Sequence, residues 1–469
     1  MTHDPAALVP DSLAPAAEPP APGDHGRVTG PTAADEVDVL PVPRAWAGHR
    51  TYGGRALLAP RTLEALARLV TSGEPVRAVG SRHSFNDLVD SDGALVTLTH
   101  LEREPVLAVA PDGAATVTVS AGTTYGRLGP WLHERGYALA ALASLPHISV
   151  VGAVTTATHG SGDAIRTLAG AVVGLELLTA QGDVRALHRG DPDFAGAVVA
   201  LGGLGLVLTV TLAVEPTYEV AQTVRDDVAL DGVLAHLDAV FAGATSVSVF
   251  TRWDGRAAVW RKQRTDADPG AAARDLGDRT SLDDLSGLGG RDADGPRHPL
   301  PDGDPVACTP QLGEPGPWFA RLPHFRLEFT PSAGAELQSE YLLPREAAAD
   351  AIRAAAPVLA EARDLVLVSE LRSMAADDLW LSGAYGRDTV GLHTTWRQDS
   401  RVPGVLPRLE EALAPYAPRP HWGKLFADPD PAGLAAHYPR WADQVDLFLR
   451  YDPDGVFAGP LLRRVGLRA

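Results

Sequence analysis

The chain has 469 residues, a formal net charge of −18 at pH 7 and a hydrophobic fraction of 45%. That length exceeds one simple core, so two or three domains are expected, and the negative charge opposes binding to nucleic acid or to an anionic membrane surface. The single cysteine, Cys308, excludes an internal disulfide and a cysteine-rich metal site; it fits a reducing compartment, so a cytoplasmic location is expected.

Residues 1–45 are rich in Ala, Pro and Asp and read as a disordered tail. They do not read as a signal peptide, because Asp4 takes the place of the basic region and Pro5, Pro10 and Pro15 interrupt any apolar helix. Globular sequence starts near Trp46. A hydroxyl cap and apolar spacing predict an amphipathic helix over Thr62–Val70. A strand is expected at Val76–Val79, followed by the turn Gly80-Ser81-Arg82-His83-Ser84-Phe85-Asn86. Leu95–Leu98 and Ala115–Val119 read as strands, and Tyr125–Arg135 as a helix ended by Gly136. Val172–Leu178 is a further strand, with the turn Gln181-Gly182-Asp183 after it. The uncharged run Ala195–Val214 is long enough to span a bilayer. Its glycines 196, 202, 203 and 205, and the alternation Leu208-Thr209-Val210-Thr211-Leu212, favour a buried strand–turn–strand instead.

Composition shifts near Glu215-Pro216. Beyond it, Ser246–Phe250 and Phe325–Phe329 predict strands, and Pro344–Leu359 and Gly404–Leu413 predict helices. Residues 266–299, full of Asp, Gly, Pro and Arg, read as a mobile surface loop. Within it, Asp292-Ala293-Asp294-Gly295 starts like a calcium loop, but no third ligand or distal Glu follows in register, so solvated carboxylates are expected. The overall pattern is α+β with mostly short strands.

No G-x-G-x-x-G follows a strand and no phosphate-binding G-x-x-x-x-G-K-[ST] occurs, so a dinucleotide here needs another loop architecture. The densest small-residue stretches are Gly80–Asn86, Ala143–Gly152 and Thr158–Gly162. Such stretches let a backbone approach a flat, anionic ligand and donate N–H bonds to it. A nucleophilic imidazole among them, His83, points to a covalently held flavin; the heptapeptide alone equally fits a structural histidine in a tight turn. In the C-terminal half, Leu365–Val368 leads into Glu370-Leu371-Arg372, and strand alternation puts Glu370 and Arg372 on one face. His393 and Thr395 share a face likewise, and His421-Trp422-Gly423-Lys424 adds a cation. Together these groups make a polar wall suited to a polyhydroxylated substrate. Taken singly, Glu370 and Arg372 also fit a solvated ion pair, and Lys424 a surface lysine. His147 and His159 lack ligand spacing and neighbouring carboxylates, so no metal site is expected.

Gly80–Asn86, Ala143–Gly152 and Thr158–Gly162 together resemble the flavin-binding elements of the vanillyl-alcohol oxidase superfamily. Similar stretches at Cys308–Trp318, Arg321–Arg326, Ser339-Glu340-Tyr341 and Leu381–Asp388 extend the resemblance, from Trp46 to the end, to members that oxidise alditols. It implies a two-subdomain FAD-binding domain over residues 46–218 and a substrate (cap) domain with a large antiparallel sheet over 219–424. Residues 425–469 would return to the FAD-binding domain. It implies FAD bound covalently through His83, with Gly80, Ser81, Arg82, Ser84, Ser144, Ser149, Gly152, Val154, Thr155, Thr156, His159, Gly205 and Val207 around it. Arg82 stands where the family has glycine, and Gly459 where it has asparagine.

The activity implied is oxidation of the terminal primary alcohol of an alditol such as xylitol or sorbitol to the aldose. Hydride goes to flavin N5, and reoxidation by oxygen gives hydrogen peroxide. Arg372 and Lys424 would face the reacting hydroxyl, Lys424 as cation or as base, and Ser144, Glu370, His393 and Thr395 would bind the other hydroxyls. The expected partners are a small polyol and oxygen, without nucleic acid or membrane, and a monomer is expected. An aldonolactone (gulono-, galactono- or arabinono-lactone) oxidase or dehydrogenase of the same superfamily shares these motifs. A flavin-bearing binding protein without turnover is the reading from another class.

Overall fold

The computed structural model describes residues 36–266, 285–300, 302–427 and 429–469. Residues 1–35 and 267–284, on which most of the expected tail and half of the expected loop fall, lie outside the described residues.

The first helix, Leu63–Thr71, starts where the hydroxyl of Thr62 accepts the Ala65 N–H at 3.1 Å, and it buries Ala65, Leu66 and Val70 on one face. It packs by a four-stranded sheet ordered Val37–Leu40, Leu57–Pro60, Ala94–Val96, Val76–Ala78, antiparallel at the first pair and parallel at the other two. Regular structure therefore begins before Trp46. The edge strand Val37–Leu40 falls inside the stretch read as a tail; four half-exposed residues give too short a pattern to reveal it. A second sheet has six strands, with Leu206–Pro216 between Ala115–Ser120 and Val172–Leu178.

The run Ala195–Val214 is not two strands. Its start lies in the short helix Phe194–Val198, and its end forms the strand Leu206–Pro216. Gly205 makes the junction possible, since a Cβ there would lie 2.4 Å from the Leu178 carbonyl oxygen. Among the described residues, no helix is long and apolar enough to cross a membrane.

The third sheet has nine strands, with a central order Arg256–Arg264, Ser246–Thr251, Val366–Met374, Thr389–Arg397, Glu336–Pro344, every pair antiparallel. Alternation divides it sharply. Tyr341, Leu343, Leu371, Leu392 and Trp396 pack in one core with Ile352, Leu359 and Leu409 of the helices Ala348–Glu361 and Val402–Leu413. The opposite face carries Glu340, Glu370, Arg372, His393 and Thr395.

One expectation fails around this sheet. Phe325–Phe329 is no strand: only Phe325 bridges, to Cys308, because the N–H groups of His324 and Phe325 donate to the Ser144 carbonyl at 3.1 and 3.3 Å and turn the chain away from the sheet. The described part of the 266–299 segment makes several contacts. Arg291–Asp292 pairs with the strand Glu219–Ala229, and Arg225–Asp292, Arg297–Asp226 and Arg297–Asp294 form ion pairs at 2.8, 2.6 and 2.9 Å. The chain end returns to the N-terminal half: the Val76 N–H donates to the Val456 carbonyl at 2.8 Å, and Leu447, Phe448, Leu461 and Leu462 share a core with Leu128 and Leu177.

Candidate active site

A cavity of about 390 Å³ runs between the glycine-rich loops and the polar face of the nine-stranded sheet. It is lined by His83 and by Gly80, Ser81, Arg82, Ser84, Ser144, Ser149, Gly152, Thr155, Thr156, His159, Gly205 and Val207, and on the far side by Glu370, Arg372, His393, Thr395 and Lys424. Of the residues expected here, only Val154 is absent. It sits on the inner face of the helix Val150–Thr155, 1% exposed in the hydrophobic core, while its neighbours Ala153 and Thr155 reach the cavity.

The loops are fastened through Ser149. Its N–H donates to Ser81 Oγ at 3.0 Å, and a Cβ at either Gly80 or Gly152 would lie 2.7 Å from Ser149 Oγ. A Cβ at either glycine would push the Ser149 hydroxyl from its place between them. Arg82 adopts φ = +65°, the left-handed conformation that glycine takes freely. The turn is kept, with the Arg82 carbonyl accepting the Trp46 N–H at 2.8 Å and the Tyr52 hydroxyl at 2.9 Å. Gly459 does not reach the cavity. It leaves room for buried Arg77, whose Nε would lie 3.1 Å from a Cβ there and whose NH1 and NH2 donate to the carbonyls of Gly202, Phe457, Leu88 and Leu201.

The His83 ring stacks on Trp46 at 4.9 Å between centroids. Its two nitrogens are buried without a well-formed hydrogen bond, and burial lowers its pKa to about 4. A neutral imidazole with a free lone pair, beside loops built for close approach, fits a flavin.

Across the cavity, strand register assembles the polar wall. Glu340, His393 and Glu370 lie in one cross-strand row, and Arg372 lies opposite Gly391 in the next. Glu340, fully buried behind the lining, is the hub. Its carboxylate lies 2.5 Å from Lys424 Nζ and 3.1 Å from both Arg372 and His159 Nε2. Gly391 makes the space, since a Cβ there would come within 2.8 Å of Glu340 Oε1. Burial would raise the Glu340 pKa, but Lys424, His159 and Arg372 outweigh it and hold the group well below the ordinary carboxylate value. Glu370 behaves likewise, its burial outweighed by Arg372 and His324. Burial lowers the Lys424 pKa, and Glu340 opposes that shift. Lys424 also donates to His393 Nδ1 at 2.9 Å, while His393 Nε2 pairs with Thr395 Oγ1 at 3.0 Å. Burial, reinforced by Lys424, lowers His393 to about 3. Arg372 NH1 reaches Ser144 Oγ at 3.4 Å. Glu370 and Lys424 are thus neither a solvated pair nor a surface lysine.

Asn86, the last residue of the histidine turn, joins the two walls. Its side-chain amide donates to the carbonyls of Trp422 and Lys424, both at 2.8 Å, and the Phe85 N–H donates to the Gly423 carbonyl at 2.8 Å. His147 bonds the Leu327 carbonyl at 2.8 Å. Sequence reasoning missed Glu340, although Glu336, Gln338 and Glu340 recur with strand period in Glu336–Pro344; it also missed the buried pair Lys262 and His324.

The chain is 43% identical to the alditol oxidase of a Streptomyces species over 424 residues, which cover 89% of this chain and 97% of that protein. The chain belongs to the alditol oxidase family. Residues 55–188 match the family described as FAD binding domain and residues 335–465 the one described as D-arabinono-1,4-lactone oxidase. The L-gulono-1,4-lactone dehydrogenase of Mycobacterium tuberculosis is more distant, 31% identical over 91% of this chain and 99% of its own. Among solved structures, the cholesterol oxidase of B. sterolicum superposes with a TM-score of 0.70 over 94% of this chain and 99% of that one, at 13% identity. That likeness shows the fold: an FAD-binding unit of the vanillyl-alcohol oxidase type with a cap bearing a large antiparallel sheet. The protein is an FAD-dependent oxidoreductase.

Proposed function

We propose that this enzyme oxidises the terminal primary alcohol of an alditol, xylitol or sorbitol, to the aldose, with oxygen as acceptor and hydrogen peroxide as product. The observation that carries the reading is the pairing, across one cavity, of the His83 loop with a wall of Glu370, Arg372, His393, Thr395 and Lys424. FAD, when bound, would supply the two-electron acceptor for the substrate's hydride and the route by which those electrons reach oxygen. His83 would hold it covalently, and Ser81, Ser149 and the glycines around them would let the backbone close on it.

The chain's own residues supply positioning and charge. Lys424 donates to Glu340 at 2.5 Å and to His393 Nδ1 at 2.9 Å; as an ammonium it keeps a further N–H for the substrate oxygen, and as the amine that burial favours it would take the hydroxyl proton while the carbon gives up hydride. Arg372 adds a second cation, so negative charge developing on the C1 oxygen is favoured. Glu370, ionised, accepts a hydrogen bond from a substrate hydroxyl, while Thr395 and Ser144 offer hydroxyls. Such a wall discriminates strongly, because an analogue lacking a hydroxyl leaves buried groups unpaired. A peroxide-coupled screen of xylitol and sorbitol against gulono- and galactono-lactone tests the reading. A higher kcat/KM on the alditols supports it, a preference for lactones replaces it with the lactone oxidase reading, and no bleaching of the flavin by anaerobic polyol reduces the protein to a flavin carrier.

A further inference from the structure

Lys262 is 2% exposed, on the strand Arg256–Arg264, and does not line the cavity. Its Nζ donates to the Leu322 carbonyl at 2.5 Å and to His324 Nδ1 at 3.1 Å, and no carboxylate among the described residues forms an ion pair with it. Burying a lysine without a counter-ion is costly, and burial pushes its pKa down to about 7. Its contacts have a directional consequence. The ionised Glu370 only accepts, so the His324 ring proton sits on Nε2 and Nδ1 is left as the acceptor that the Lys262 N–H satisfies, which holds this tautomer in place. His324 Nε2 lies 2.9 Å from Glu370 Oε1. The imidazole stays neutral, since burial and Lys262 lower its pKa to about 4. T-shaped contacts with Phe250 and Trp260 at 5.3 and 5.5 Å fix the ring plane.

We propose that Lys262 and His324 are positioning residues that lock Glu370 Oε1, while Arg372 Nε stands 3.6 Å from Oε2, so that Oε2 is presented in one place to a substrate hydroxyl and sets which polyols the enzyme accepts. The inference rests on the reading of Glu370 as a substrate ligand. A freely rotating carboxylate meets hydroxyls at several places along a chain; a locked one meets them at one. Lys262 acts two residues removed from the substrate, through a tautomer, and touches neither substrate nor flavin.

The test uses the flavin-loaded full chain with sorbitol and its monodeoxy analogues. Lys262→Met, which keeps the volume and removes the donor, should raise the sorbitol KM by about tenfold with kcat changed far less, and should shrink the discrimination against the deoxy analogue that lacks the Glu370-bound hydroxyl. Flavin absorbance per protein should not change. His324→Phe should copy this effect, whereas His324→Gln, whose amide donates without help from Lys262, should be milder. In the double variant Lys262→Met/Glu370→Gln, the loss should be no greater than for Glu370→Gln alone. Losses that multiply, or a lysine variant that discriminates as the parent does, would overturn the positioning role. Unchanged kinetics in Glu370→Gln would instead overturn the assignment of Glu370 to substrate, and this proposal with it.

Discussion

Replacing Glu340 with Gln removes the charge around which the site is built while keeping its shape. Glu340 is completely buried and touches two cations, Lys424 at 2.5 Å and Arg372 at 3.1 Å. At an effective dielectric of about 20, a contact near 3 Å has a Coulombic energy of about 5 kcal/mol, most of it offset by the desolvation of the carboxylate itself. The amide restores neither attraction, and two buried cations are left against each other; breaking a buried pair in this way costs about 3–5 kcal/mol. Chemical denaturation of Glu340→Gln at pH 7 should show a loss of that size. The loss depends on pH. The folded-state pKa of Glu340 lies below its ordinary value of 4.5, so its contribution is full above about 4.5 and disappears as pH falls through the folded value. The gap between parent and variant should therefore close in acid. Without Glu340, burial lowers the Lys424 pKa further, so a basic limb of kcat/KM that reports this ammonium moves to lower pH. A variant as stable as the parent at pH 7, with an unmoved pH profile, would refute the view of Glu340 as the counter-charge of the catalytic wall.

Three further substitutions probe the loops and the wall. His83→Ala should yield protein whose yellow colour is released by acid denaturation; fluorescence persisting in the denatured band would remove His83 from the attachment. Lys424→Met should lower turnover on xylitol by about 10²-fold or more while flavin content holds, a loss of at least about 2.7 kcal/mol in the transition state; equal losses in both would make the lysine structural. Arg82→Gly, at φ = +65°, should stabilise the folded protein by about 1 kcal/mol, read as a raised denaturation midpoint without loss of flavin; a destabilised variant would mean that the arginine side chain holds the turn.

The parts legible in the sequence were those whose cause is local. The helix Leu63–Thr71 was readable because its cap and apolar stripe are neighbours in the chain, and Glu370 with Arg372 because strand alternation fixes their face. Phe325–Phe329 was misread because its composition suits a strand while its N–H groups are claimed elsewhere, that of Phe325 by the Ser144 carbonyl and that of Arg326 by the Ala307 carbonyl. Ala195–Val214 was misread because apolar runs do not tell a short buried helix from a strand. Glu340, Lys262 and His324 could not be seen as a set: a carboxylate, a lysine and a histidine on separate segments acquire meaning only when sheet register and a crossing loop bring them to one buried face.

The same logic explains why a histidine turn and a sheet, so far apart in sequence, can serve one reaction. Hydride transfer demands a fixed separation between the atom that gives and the ring that takes, since small misplacements cost large factors in rate. Ser149, held between Gly80 and Gly152, fixes the loops to one another, and Gly391 lets Glu340 grip Arg372 and Lys424 from behind. The distance from one wall to the other is set by contacts across it: Glu340 to His159 at 3.1 Å, Arg372 to Ser144 at 3.4 Å, and Asn86, which holds the backbone of Trp422 and Lys424 through two hydrogen bonds, while Phe85 holds Gly423. The turn that carries His83 is thereby also a turn that positions Lys424, so the proposed attachment point and the proposed substrate cation share one support.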